Sequence, residues 1–303
     1  VTPLPVSAVV VNLDGGDLLF ETLDAIAREE PEEILLVDNG SSPGETARLA
    51  ARSGLSLIRL RENRGFAAPA NLGARAARAP FVAFVNNDCV VEAGYLGACL
   101  SALSADPALA AVQGTILGGD GLSVDGWGIG WSARAEAIQL GRGEAPPPAT
   151  GSPRPVPGVS ATAALFRRDT FLGAGGFAES FFAWYEDVDL SLRLHRAGAR
   201  FATVPAARAR HAGTATGRRR PAERWSRLFS NRLRTLRRNF DPAVLPSSRL
   251  RPAAGASLGP AAAELGWARA VIVAIGAERA ARPFREEDGA IRALLPPLRE
   301  LPA

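Results

Sequence analysis

Four short β-branched apolar runs dominate the first third of the chain: Val6–Asn12 (VSAVVVN), Glu33–Asp38 (EILLVD), Leu55–Leu60 (LSLIRL) and Phe81–Asn86 (FVAFVN), spaced about 22 to 27 residues apart. Helix-like segments separate them. Leu18–Arg28 sets Leu19, Leu23 and Ile26 at helical spacing, Gly44–Ser53 follows a Ser-Ser-Pro start, and Ala67–Arg78 is rich in alanine. Strand, helix, strand at this spacing predicts right-handed βαβ units and a parallel sheet covered on both faces. Ligands of such sheets gather at the carboxyl ends of the strands. That rule selects Asn12, the run Asp38-Asn39-Gly40-Ser41-Ser42, and Asn86-Asn87-Asp88. Each cluster taken alone is ordinary turn chemistry; three at one sheet edge predict a site.

Several chemistries are excluded by missing residues. The 303-residue chain has no lysine, all 35 basic residues being arginine, so a Walker A loop, a pyridoxal Schiff base and a kinase phosphate lysine cannot be built. With only His195 and His211, the zinc motif HExxH is impossible. Cys89 and Cys99 form no CxxC pair, which argues against a disulfide framework or a cysteine-rich zinc site. The first βα turn reads Asn12-Leu13-Asp14-Gly15-Gly16 rather than GxGxxG, and the GxGxG at Gly126–Gly130 is far from any first βα unit, so a nicotinamide or flavin cofactor is not expected. No run approaches the roughly 18 apolar residues of a membrane span, and no leader is read at the start. A cytoplasmic location is expected.

The second half carries FFAWYEDVDLSLR, Phe181 to Arg193, with three carboxylates in four positions. On a helix Glu186 and Asp189 share a face and Asp189 can pair with Arg193. Part of the cluster suits a helix N-terminus. The aromatic residues before it, with Trp184 and Tyr185 adjoining the acids, suit a sugar-binding base site in which desolvation raises one acid's pKa.

In order, VVVN, VDNGSS, ENRGFAAPANLG, FVNND, GVSATAALFRRDTFLGAGGFAESFFAWYEDVDLSLRLHRAG and then His211 resemble the family 2 glycosyltransferases, particularly a rhamnosyltransferase-like branch, over roughly residues 5 to 215. The resemblance implies a GT-A fold: an α/β, Rossmann-like, mostly parallel sheet with helices on both faces, here followed by a helical C-terminal extension. Residues 1–217 would be the catalytic domain and 218–303 the extension. It also implies roles. Asp38 would meet the nucleotide base, Asn12 would line the same pocket with Asn86 and Asn87 nearby, and Asn71 would belong to the segment, with Gly65, that closes over the nucleotide. Asp88 would hold Mg²⁺ or Mn²⁺ with His211 completing that site, Asp187 would be the catalytic base with Glu186 its neighbour, and Trp184 and Tyr185 would face the acceptor. Asn86 stands where the family's metal motif has its first acid, and Cys89 follows Asp88. His195 is read as a helix C-terminal residue near Gly198.

The implied reaction moves a sugar from a nucleoside diphosphate, dTDP-rhamnose or a UDP-sugar, to a cell-envelope polysaccharide or lipid-linked acceptor with inversion. A non-catalytic sugar or nucleotide-sugar binding module is the alternative of another class. A nucleotidyltransferase would want a basic loop early, where the first 58 residues offer only Arg28, Arg48 and Arg52, and a glycoside hydrolase would not need Asp38 or Asp88.

Charge is uneven: residues 1–150 hold 10 arginines and 18 acids, a balance of −8, and residues 151–303 hold 25 and 13, a balance of +12. Nine arginines meet one acid at 218–240, and from Pro221 the residues Trp225, Leu228, Phe229, Leu233, Leu236 and Phe240 fall at steps of three or four, with Leu228 and Phe229 adjacent. This amphipathic cationic helix at 221–240 either docks its stripe on the catalytic domain or lies on anionic lipid at the inner face of the membrane, or does both. Nothing in it resembles a nucleic-acid reading motif. Residues 141–158 (GRGEAPPPATGSPRPVPG) read as a mobile loop, and 241–303 as a linker, a helical stretch at 261–281 and a Pro-rich tail suited to packing on the main domain or to homodimer formation.

Overall fold

The computed structural model describes residues 2–132, 136–213 and 221–240, with the backbone alone at 221–223 and 225. Its first part follows the predicted alternation: β1 (Leu4–Asn12), α1 (Gly16–Arg28), β2 (Pro31–Asn39), α2 (Pro43–Ala50), β3 (Ser56–Leu60), α3 (Ala67–Ala76) and β4 (Phe81–Val85). There follow β5 (Cys89–Val91), α4 (Tyr95–Ala105), β6 (Leu109–Gly118), β7 (Val124–Gly126), β8 (Ile129–Trp131), β9 (Ala137–Gln139) and β10 (Arg154–Val156). Last come β11 (Ala163–Arg167), α5 (Arg168–Gly173), α6 (Glu186–Arg196), β12 (Arg200–His211) and α7 (Pro221–Asn239). The main sheet runs β10-β12-β6-β11-β4-β1-β2-β3, with β5 added to β12 and β7 to β6.

Strands β3, β2, β1 and β4 are mutually parallel, and the order reverses on either side of β1. That reversal opens a crevice at the carboxyl ends of β1 and β4. The expected mostly parallel sheet is what forms: the first-half strands are parallel, and in the second half β11 lies antiparallel between β4 and β6. Ala163 pairs with Val85, so β11 enters from the carboxyl end of β4 and must run back down. The 141–158 stretch is more structured than expected. A turn at 141–144 bonds to Val124 in both directions at 2.8 and 2.9 Å, and Arg154–Val156 pairs with β12.

Successive strand residues alternate between two cores. Val6, Ala8, Val10, Leu36, Ala83 and Val85 pack with Leu19, Leu23 and Ile26 of α1 and with Leu96 and Leu103 of α4 on one face. Val9, Leu35, Val82 and Phe84 pack on the other with Ala67, Ala70 and Ala74 of α3, Phe171, Phe177 and Leu190. A third cluster joins Ile129, Trp131, Val188 and Leu192 to Leu236 of α7 and to Phe240 just after it. The second half of the basic helix therefore docks its apolar stripe on the catalytic fold. Its arginines are also engaged there: Arg238 meets Asp189 at 3.1 Å, Arg232 meets Glu136 at 3.0 Å, and Arg227 lies 4.3 Å over the Phe182 ring. No helix among the described residues is long and apolar enough to cross a membrane. Arg218, Arg219, Arg220 and the linker and helix expected within 241–303 lie outside the described residues.

Candidate active site

The strand ends that the pattern selected do converge. Asn12, fully buried at the end of β1, accepts hydrogen bonds on Oδ1 from Gly15 N at 3.1 Å and Asn87 Nδ2 at 2.9 Å, and donates to Ser41 Oγ at 3.2 Å. Its amide thus joins the loops after β1, β2 and β4. Asp14 reinforces the seam by accepting from the Ser42 backbone at 2.9 Å and its hydroxyl at 2.7 Å. A side chain at Gly15 would strike Asn12 and Asn87, which explains the glycine. Asp38 is buried at the end of β2, where Ser41 N and Thr46 Oγ1 each donate to it at 3.2 Å and Arg59 approaches at 3.8 Å.

Asn39, adjacent to Asp38 but given no separate role by the sequence, ties β2 to the next loop. Its Nδ2 donates to Asn63 Oδ1 at 3.1 Å and to Gly65 O at 2.7 Å, while its Oδ1 accepts from Arg64 N at 2.9 Å. Asn71 is buried on α3 and clasps Phe177 from both sides, donating to its carbonyl and accepting from its N–H at 2.8 Å each. The amide of Asn71 therefore latches α3 to the segment before the acidic cluster.

Beyond β4, Asn86 and Asn87 are partly exposed in a tight turn, closed by Cys89 N donating to Asn86 O at 3.1 Å, and Asp88 is buried. The long strand β12 pairs His211 with Cys89, which sets the imidazole beside Asp88. His211 Nε2 lies 3.2 Å from Asp88 Oδ1, and its Nδ1 lies 2.8 Å from Asp125 Oδ2 on β7. Burial works against the charged imidazole, but the hydrogen bonds to Asp125 and then Asp88 outweigh it and push its pKa up to about 9. Burial likewise opposes the charge on Asp125, yet the His211 hydrogen bond and charge hold that carboxyl below its ordinary value.

A divalent cation fits this corner. A carboxylate and one imidazole nitrogen converge, and the other nitrogen is fixed by a second carboxylate, as metal-binding histidines usually are. Among the described residues no three His, Cys, Asp or Glu side chains form a cage, so further oxygen ligands would have to come from a bound diphosphate.

The acidic cluster opens α6. Glu186 is buried with no hydrogen-bond partner for Oε2, and burial followed by the neighbouring Asp187 charge raises its pKa well above the ordinary range. Asp187 is partly exposed and accepts from Ala161 N at 3.1 Å and Val188 N at 2.8 Å. Desolvation raises its pKa too, opposed by those backbone donors. The two environments differ: Glu186 Oε2 is buried without a partner, which disfavours its charge, whereas Asp187 has two backbone N–H donors that favour its charged form. Asp189 is different. Fully buried, it receives Arg193 at 2.9 Å as the spacing predicted, and also Arg238 and Asn239 from α7 at 3.1 and 2.8 Å. Trp184 and Tyr185 precede the acids, both partly exposed, with Ala137 N donating to the Tyr185 hydroxyl at 3.3 Å. His195 is exposed near the end of α6, where Gly198 at φ 84° donates to its carbonyl, as expected of a helix terminus.

The family model described as glycosyl transferase family 2 matches residues 7–172. The chain belongs to that family. It is 30% identical over 243 residues to N-acetylglucosaminyl-diphospho-decaprenol L-rhamnosyltransferase of Mycobacterium tuberculosis, a match covering 71% of this chain and 78% of the relative. Among solved structures, the mannosyltransferase PcManGT from Pyrobaculum calidifontis in complex with GDP-Man and Mn²⁺ aligns with TM-score 0.57 at 21% identity, over 97% of this chain and 86% of that one. GalNAc-T7 with UDP, GalNAc and Mn²⁺ aligns with TM-score 0.60 at 17% identity, over 78% of this chain and 48% of that one. These likenesses establish the GT-A fold of a family 2 glycosyltransferase.

Asp125 and the polar residues of α7 escaped the sequence reading of this glycosyltransferase. Asp125 sits in a glycine-rich run, SVDGWGIG, that carries no period, and only the pairing of β7 with β6 brings it to His211. Asn231, Arg238 and Asn239 look like ordinary polar positions on an amphipathic helix; nothing local says which carbonyls and carboxylates they meet.

Proposed function

We propose that this chain is a metal-dependent inverting glycosyltransferase that moves a sugar from a nucleoside-diphosphate donor to a lipid-linked or cell-envelope glycan acceptor. The observation that carries the reading is the Glu186–Asp187 pair, a buried acid with an unpartnered oxygen beside a partly exposed carboxylate held by two backbone N–H groups. Asp187 accepts the proton of the acceptor hydroxyl as that oxygen attacks the anomeric carbon, and the sugar–phosphate bond breaks on the opposite face. One such displacement inverts the configuration. Glu186, holding its proton, adds no second negative charge beside the base. Asp38 takes the nucleotide base, and the loops seamed by Asn12, Asn86 and Asn87 shape the pocket beside it. Trp184 and Tyr185 offer aromatic faces to the acceptor sugar.

Asp88 and His211 would hold Mg²⁺ or Mn²⁺, which when bound offsets the charge growing on the departing diphosphate. Asp125 keeps the imidazole turned toward that site. The likeness to an L-rhamnosyltransferase with a diphospho-decaprenol acceptor favours dTDP-rhamnose as donor, with UDP-sugars the other candidates, and a polyprenyl-diphosphate-linked sugar as acceptor. Such an acceptor gives a reason for peripheral contact with anionic membrane on the cytoplasmic side, through the arginine-bearing helix at 221–240. Residues 1–217 are then the catalytic domain, with 218–303 an extension that α7 fastens to it.

The test is calorimetric titration of UDP, dTDP and GDP with and without Mn²⁺, on the unmutated chain and on Asp88→Ala. Metal-dependent binding of one nucleotide, lost in the variant, is expected. Failure of all three to bind would overturn the reading.

A further inference from the structure

Proton abstraction by Asp187 needs no strained backbone, yet strain is concentrated immediately before it. Of the five non-glycine residues with positive φ among those described, three are Phe182 (φ 64°), Trp184 (φ 67°) and Tyr185 (φ 71°). All three are bulky, and such residues rarely adopt this region. Phe182, with ψ −68° and Ala183 N donating to Phe181 O at 2.8 Å, forms a γ-turn of the rare positive-φ kind. Conformations of this sort persist only where surrounding contacts over-determine them.

Those contacts come from two sides. On one, the Phe182 carbonyl accepts from Phe66 N at 2.5 Å and Ala67 N at 3.1 Å, capping α3. Gly65, at φ 78°, lies so close that any Cβ would strike that carbonyl. On the other side, a single amide from α7 gathers the loop. Asn231 is 2% exposed, and its Nδ2 lies 3.0, 2.9 and 2.8 Å from the carbonyl oxygens of Phe181, Ala183 and Trp184. Its Oδ1 accepts from Arg234 Nη1 at 2.9 Å, and the same arginine nitrogen donates to Ser180 O at 2.5 Å. Three carbonyls on one end and a guanidinium on the other leave one orientation for the amide.

We propose that Asn231 is a positioning residue for sugar transfer: by holding the 181–185 backbone in its strained path, it sets Trp184, Tyr185 and the first turn of α6, and hence the aim of the Asp187 carboxylate. The proposal rests on Asp187 being the base. It gives the basic helix a task inside the catalytic fold, distinct from any contact with lipid. Asn231→Asp is the sharpest probe because it keeps the size but turns a carboxylate oxygen toward three carbonyls. Asn231→Ala simply removes the clasp. A displacement of about 1 Å at the base costs roughly 10²-fold in turnover while leaving a remote nucleotide pocket intact.

The experiment uses the full chain and the variants Asn231→Asp, Asn231→Ala, Asp187→Asn and Arg238→Ala. Nucleoside diphosphate release is followed with Mn²⁺ and whichever of dTDP-rhamnose, UDP-glucose and GDP-mannose the unmutated chain cleaves. Nucleotide affinity is measured by calorimetry, and backbone amide exchange over 181–187 is read by mass spectrometry. Both Asn231 variants should lose roughly 10²-fold in turnover, keep their nucleotide affinity, and exchange faster over 181–187 than the unmutated chain. Arg238→Ala removes one of the three partners of Asp189 and makes no contact with the loop, so it should leave that exchange unchanged. Unchanged exchange in a folded Asn231→Ala overturns the proposal even if no donor is cleaved. So does loss of nucleotide affinity in parallel with turnover, or an equal turnover loss in Arg238→Ala. Full turnover in Asp187→Asn would instead remove the assigned base, while the exchange result would still decide whether Asn231 holds the loop.

Discussion

Asp125 holds the Nδ1 of His211 at 2.8 Å, leaving Nε2 to face Asp88 at 3.2 Å. A histidine fixed at one nitrogen presents the other in a set direction, and a bound cation would take the place of the proton that Nε2 otherwise shares with Asp88. Asp125→Asn keeps the shape but weakens that orientation and removes one negative charge. Affinity for Mn²⁺ in the presence of bound nucleoside diphosphate should fall about 10- to 100-fold, measured calorimetrically. Nucleotide binding without metal should stay as it is; an unchanged Mn²⁺ affinity would detach Asp125 from the metal site.

The carboxylate pair predicts a pH profile. A base acts only when ionised, and burial raises the Asp187 pKa. Activity should therefore fall as pH drops through a value above the ordinary carboxylate range, whereas an unperturbed aspartate would hold activity to near pH 4. Asp187→Asn should lower turnover by about 10²- to 10⁴-fold with little change in donor affinity. Glu186→Gln keeps the shape of a protonated acid beside the base and should retain most of the activity, with the acid limb in place or shifted lower. Rate–pH curves for the three proteins decide it; a Glu186→Gln as inactive as Asp187→Asn would assign the proton to the wrong residue.

The parts of this site carried by period and strand ends were legible before folding. The runs at Val6, Glu33 and Phe81 announced β1, β2 and β4, and the polar residues closing them, Asn12, Asp38 and Asp88, fall on one edge because parallel strands share their carboxyl ends. Period and strand ends did not show partnerships made across the sheet; only the family resemblance brought His211 to Asp88. β11 gave no sign of running antiparallel, since direction depends on the path of the preceding loop and not on its own five residues. The apolar stripe of α7 was plain, but its cover was not: Leu236 and Phe240 meet Trp131 and Leu192 through contacts far apart in sequence. Asn12 and Asn71 stood out as polar residues, yet much of their hydrogen bonding is to neighbouring loops, a division that only coordinates reveal.

Asp189 links the catalytic helix to α7, and its environment makes stability depend on pH. Burial opposes its charge, but Arg193 and then Arg238 more than compensate and hold the pKa below the ordinary value. A carboxyl depressed in the folded state contributes stability that is complete above its unfolded pKa and is lost as pH falls through the folded one. Denaturant midpoints should therefore decline on acidification below the ordinary aspartate range. Asp189→Ala removes the carboxylate shared by Arg193, Arg238 and Asn239, while Arg193 keeps its carbonyl partners Ala174 and Gly176; it should cost about 1–3 kcal/mol at neutral pH and flatten that decline. A variant as stable as the unmutated chain would show that the arginines find other partners.

Phe240 tests whether α7 is a working part of the fold. It is 2% exposed and meets the Trp131 ring edge to face with centroids 6.0 Å apart, in the cluster that also holds Leu236, Val188 and Leu192. Removing a buried phenylalanine ring costs about 3–5 kcal/mol when the cavity cannot collapse. Here the helix can lift instead, since only its second half is anchored by that cluster and by Asp189. Phe240→Ala should thus lower the denaturant midpoint and free α7 in the same step, so that amides of 226–239 and of the 181–185 loop exchange together. If the helix exchanged faster while 181–185 kept its protection, α7 would be an accessory to the active site rather than one of its walls.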